Sequence, residues 1–149
     1  MSTSVVGTTL DAIRAALVLR SDLTGVNVFS GPVSEEEGGT ECIWFGDAEL
    51  IEEPAAMGGN VTDDWTVDGQ AWAIMKPWQD STELTIKAAR DRALAIFAEV
   101  EEHIGDTYGE SASLPTVGIT EGTLRQGITP EGRRCAVDFK IVISNLKNP

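Results

Sequence analysis

The sequence predicts an α+β domain: a single, mainly antiparallel, twisted sheet of about five strands packed with two helices, in the order α-β-β-β-α-β-β. Three observations carry that prediction. Residues 81–104 hold a long apolar stripe at helical spacing, residues 134–143 alternate, less strictly at Val142, and runs such as "VNVFSGP" and "ECIWF" are β-branched and aromatic between turn residues. At 149 residues the chain suits one domain, 1–149, with about two-thirds of its unfolded surface buried in one core. Mobile loops are expected near 31–41, 54–64 and 105–115.

The first helix is expected over Thr8–Leu19, where Thr8 and Asp11 form a weak capping box and Leu10, Ile13 and Leu17 share one face. Gly25 supplies a stop. "VNVFSGP" follows as a short strand ending at Gly31-Pro32, and "VSEEEGGTE" as an exposed loop. Cys42–Phe45 is a continuous apolar run suited to a buried strand. Gly46-Asp47 is expected to turn the chain, with Glu49–Glu53 as an exposed edge or loop before Pro54.

In "WTVDGQAWAIMKPW", Trp65 and Val67 share one parity and Trp72 and Ile74 the other. That change predicts a bulge or bend at Gly69. Asp80 with Glu83 is expected to cap the long helix, and Gly105 to end it. Its stripe comprises Ile86, Ala89, Ala93, Ile96, Phe97, Val100 and Ile104, with alanines that permit close approach to a sheet. The last strand buries Cys135, Val137, Phe139, Ile141 and Ile143, and "TPEG" turns it from a partner at 116–126.

Charge is the most uneven property of the chain. The formal net charge is −13, and from Glu35 to Asp68 there are eleven acids with no Lys or Arg. After Gly122 the balance reverses: Arg125, Arg133, Arg134, Lys140 and Lys147 face only Glu131 and Asp138. A phosphate backbone needs clustered cations, so sequence-specific nucleic-acid binding is not expected. The start of the chain lacks a signal-peptide pattern and no apolar run is long enough to span a bilayer, so a soluble protein without membrane contact is expected. The acids have a plain alternative role as solvated charges that guard a sheet edge against aggregation.

Few residues are placed for chemistry. The only histidine, His103, lies near a helix C-terminus, where a cation is favoured, and no nucleophile accompanies it. No phosphate-binding glycine motif is present. Asp64, Thr66, Asp68 and Gly69 have calcium-loop offsets, but the twelfth position is Met75 instead of a bidentate Glu. The paired carboxylates Glu52-Glu53 and Asp63-Asp64 sit in Gly-rich surroundings that favour solvation over acid–base work. Cys42 and Cys135 are expected as buried free thiols in preference to a disulfide or metal pair. No catalytic residue, metal or cofactor is therefore assigned. Among four tryptophans, Trp44 and Trp72 suit the core and Trp78, beside Pro77, suits exposure at an interface.

The series "LDAIRAAL", "ECIWFGD", "WTVDGQAWAIMKPWQDS", "AARDRALAIFAEVEEHIG" and "GITEGTLRQGITPEGRRCAVDFKIVIS" resembles the tail terminator proteins of bacteriophages with long non-contractile tails. The similarity covers most of the chain and lies in the order and spacing of elements. It implies a homohexameric ring on the last ring of the tail tube that ends tube polymerisation and meets a head-side connector protein. It also implies a place in the virion, at the head-proximal end of the tail, after assembly in the host cytoplasm. Such a role needs no covalent chemistry.

Subunit contacts in such a ring are expected to use Arg133, Arg134, Lys140 and Trp78, the three cations approaching the acidic 35–68 segment of a neighbour. Glu35, Glu36, Glu37, Asp63 and Asp64 are candidates for a lumen or acidic surface that keeps passing DNA from adhering. Three other classes remain open: another head-tail neck protein, a dimeric acidic secretion chaperone, and an acidic DNA mimic.

Overall fold

A computed structural model describes residues 3–54, 61–77, 81–109 and 115–147, with the backbone alone at 3–4, 51–54, 61–63 and 145–147. In chain order the elements are α1 (Thr3–Val18), a 3-10 turn (Ser21–Leu23), β1 (Asn27–Phe29), α2 (Glu35–Gly38), β2 (Glu41–Pro54), β3 (Val61–Met75), α3 (Thr82–Tyr108), β4 (Thr116–Thr129) and β5 (Gly132–Lys147). The five strands form one sheet in the order β1-β2-β3-β5-β4. β1 runs parallel to β2 and every other neighbour is antiparallel. The α+β class, the mixed but mostly antiparallel sheet and the helix–strand order all follow the sequence prediction; α2 is an addition.

Helices α1 and α3 cover one face of the sheet. Val6, Ile13 and Leu17 of α1 and Ala89, Ala93, Ile96, Val100 and Ile104 of α3 meet Ile43, Phe45, Val67, Val137, Phe139, Ile141 and Ile143 in one core. The alanines place the α3 backbone close to β3 and β5, the central strands. Arg92 Nε, 2.9 Å from Glu41 Oε2, ties α3 to β2, and Arg20 Nε, 2.8 Å from Glu99 Oε1, ties the end of α1 to α3.

α3 begins one residue later than expected and ends four later. Ser81 is the N-cap, its Oγ accepting from Leu84 N at 3.2 Å; Asp80 lies outside the described residues. Gly105 does not stop the helix, which closes at Gly109. A glycine inside a helix costs about 1 kcal/mol, whereas burying a large side chain contributes about 1.5–3 kcal/mol. Tyr108, buried in the last turn, outweighs the glycine. α1 likewise starts before Thr8, so Thr8 and Asp11 are interior positions and not a cap.

The region expected to loop at 31–41 contains α2. Ser34 and Glu37 form a reciprocal capping box: Glu37 N donates to Ser34 Oγ at 3.3 Å and Ser34 N donates to Glu37 Oε1 at 3.0 Å. Gly38 ends α2 directly over the Trp72 ring, where a Cβ would overlap the indole. The other two expected loops also shrink, since β2 continues to Pro54, β3 begins at Val61 and α3 occupies 105–108; residues 55–60 and 110–114 lie outside the described set.

Two corrections concern β2 and β3. Gly46-Asp47 is not a turn: β2 runs through it, with a register shift against β3 between Phe45 and Ala48. Gly69 carries no bulge, because β3 pairs with β5 without interruption from Val61 to Met75. The parity change arises because β3 is buried on both faces. Val67, Ala71 and Ala73 face the helices, while Trp72 and Ile74 join Cys42 and Ala136 in a smaller cluster on the outer face.

Candidate functional site

The outer face of the sheet concentrates polar chemistry in a ladder across four strands. Trp44 of β2 stands opposite Gln70 of β3, and Gln70 opposite Asp138 of β5. Trp44 Nε1 donates to Gln70 Oε1 at 3.1 Å, and Gln70 Nε2 donates to Asp138 Oδ1 at 2.6 Å. The other carboxylate oxygen of Asp138 lies 2.6 Å from Arg125 Nε of β4. Arg134 Nη2 also donates to Gln70 Oε1, at 2.9 Å. A shallow groove of about 330 Å³ runs beside this ladder, bounded by Asp68, Glu121 and Lys140.

The ladder explains much of the charge segregation. β5 lies between β3 and β4, so the late basic residues fold beside the early acidic segment of the same chain. Arg134 packs its guanidinium 4.9 Å from the Trp72 ring centroid and reaches Glu35 Oε1 at 3.4 Å. Lys140 Nζ stands 4.0 Å from Asp68 Oδ1. Both cations are thus engaged within the chain. Arg133 differs: it belongs to the helix-side face of β5 and pairs in register with Met75 and Ile128. Among the described residues no carboxylate lies within ion-pair distance of it. Trp78 lies outside the described residues.

The acidic candidates do not gather. Glu35, Glu36 and Glu37 form the first turn of α2, where negative charge complements the helix dipole. Glu37 is held below the usual carboxylate range by the Ser34 backbone amide and hydroxyl. Asp63 and Asp64 are β3 strand residues, paired in register with Asn145 and Ser144 of β5. Asp64 is half-buried and its Oδ1 has no hydrogen-bond partner. The calcium-loop offsets from Asp64 to Gly69 therefore fall on an extended strand, which cannot wrap a cation.

Three groups singled out for their chemistry are buried. His103 is 8% exposed and its pKa is lowered, first by burial and then by Arg20, so it is held neutral and does not serve as a helix-terminal cation. Cys42 and Cys135 are free thiols on opposite faces of the sheet. Burial pushes Cys42 up to about 12 and raises Cys135.

Sequence reasoning missed α2 and the ladder. The spacing Ser34-x-x-Glu37 is a capping-box pattern that marks the former. The latter depends on strand register, which no single-strand pattern contains.

A scan against protein-family models found no match, and a search of curated proteins found none. Among solved structures, the chain is similar to one described as "Virion of native gene transfer agent (GTA) particle". The two share 15% sequence identity with a TM-score of 0.54, over 95% of this chain and 98% of that one. The likeness is one of fold. It spans nearly the full length of both chains.

Proposed function

We propose that the chain is a structural protein of a phage-like particle, and that it forms a homohexameric ring ending tail-tube polymerisation and joining the tail to the head-side connector. The observation that carries this reading is the end-to-end fold likeness to a chain of a gene transfer agent virion. The order and spacing of elements that resemble tail terminators support the finer role.

The mechanism is geometric. One ring face complements the last ring of tube protein and the other cannot accept a further tube subunit, so the repeating stacking contact is not renewed. Catalysis has no part in it. Of the acidic candidates, Glu36 and Glu37 are exposed on α2; negative charge there would keep a passing DNA duplex from adhering.

Particles assembled without this chain test the role. Tubes of irregular, excessive length that fail to join heads are expected. Tails of normal length that merely fail to attach would instead favour a neck protein, and normal particles would contradict both.

A further inference from the structure

The two most exposed large apolar side chains among the described residues are Leu19 and Ile128, at 85% and 75%. They lie at opposite edges of the domain. Leu19 follows Val18 at the end of α1, a helix tied to the β1 side of the sheet by the bond from Arg14 Nε to Val28 O at 2.9 Å. Ile128 stands near the tip of the β4–β5 hairpin, on the other edge, and faces the helix layer through its pairing with Arg133. Val18 is exposed beside Leu19, and Leu124 is exposed four residues before Ile128 on the same face of β4.

The two patches differ in shape and charge. The hairpin and the first turns of α3 enclose a notch of about 420 Å³ whose wall includes Ile86, Ala89, Ile128, Arg133 and Cys135. The α1 end is a corner that presents Val18 and Leu19 to solvent. Its neighbours are acidic: Glu99 and Glu102 hold Arg20, leaving one carboxylate in excess, and Asp22 adds another. The notch carries Arg133, which has no carboxylate partner among the described residues.

We infer that the Val18–Leu19 corner of one copy enters the notch between α3 and the β4–β5 hairpin of the next copy, with Arg133 facing the acidic rim around Asp22 and Glu102. The inference rests on the ring reading above and specifies its contact. A corner and a notch at opposite edges cannot satisfy one another about a two-fold axis. Each copy uses both once, so the contact repeats head to tail, the arrangement that makes a ring where the rotation between copies closes. Arg134 also lines the notch, while its guanidinium and the Lys140 ammonium are engaged on the outer face.

The test uses two variants of the full chain, Leu19→Asp and Ile128→Asp, both at exposed positions. Each alone is expected to stay at the mass of one chain at concentrations where the parent forms rings. Mixed together, they are expected to form a one-to-one dimer, because the Leu19 corner of the Ile128→Asp chain still fits the Ile128 notch of the Leu19→Asp chain. If either charge lowers the melting temperature, the Leu19→Ser and Ile128→Ser pair replaces it. Variants that assemble like the parent, or a mixture that stays monomeric, overturn this contact while the ring reading stands. A parent chain that never assembles overturns both.

Discussion

The ring of Phe139 lies across Gly69, its register partner on β3, in the space where any larger residue would place a Cβ. Phe45 and Phe97 hold that ring at centroid distances of 6.0 and 5.3 Å. The ring therefore has little room to yield.

Gly69→Ala is expected to destabilise the fold by about 1–3 kcal/mol, the usual cost of overpacking a filled core. Denaturant unfolding checks it: the midpoint should fall with an unchanged slope. A midpoint equal to that of the parent would mean that Phe139 moves aside freely.

Arg133 and Arg134 are adjacent in sequence and should separate in experiment. Arg134→Met removes the stacking on Trp72 and the bond to Gln70, and should cost about 1.5–3 kcal/mol, as for a hydrogen bond to a charged group. Arg133→Met should change stability by less than about 0.5 kcal/mol and instead weaken self-association. Thermal melts and assembly assays on the same two proteins distinguish these effects.

His103 sets a pH dependence of known sign. Its folded pKa lies below the reference value of 6.5, so the unfolded state takes up the proton first as pH falls. Stability should be constant above about pH 6.5 with respect to this group, and decline from there down to the folded pKa. His103→Gln should flatten that decline. Melts between pH 8 and 5 (about the range in which histidine alone titrates) provide the check.

Both thiols should be unreactive in the folded protein. Cys42 is pushed up to about 12 and Cys135 is also raised by burial, so little thiolate exists near neutral pH. A thiol-specific reagent should label neither residue under native conditions and both after unfolding. Rapid native labelling would show that the two sheet faces open locally.

The parts of the fold visible in the sequence are those where one face is wet and one dry. α3 meets that condition and β5 comes near it, with polar Arg134, Asp138 and Lys140 opposite the core and only Ala136 fully covered there, and their stripes at Ala89–Val100 and Val137–Ile143 point directly at the core. β3 does not meet it. With Trp72 and Ile74 covered by α2 on one side and Val67 and Ala71 covered by α3 on the other, its pattern looked like a broken strand. β2 misled for a related reason, because a register shift lets a strand pass through Gly46-Asp47 without turning. The candidate site was less legible still. Which cations find a carboxylate among the described residues depends on β5 lying between β3 and β4, which engages Arg134 and Lys140 and leaves Arg133 beside Ile128.

Self-association into a closed ring is the centre of this account, and light-scattering mass across a concentration series tests it most directly. A rise from the 15.9 kDa chain to a species of six chains is expected, with no stable dimer between. A mass that stays at one chain throughout, or stops at two, would contradict it.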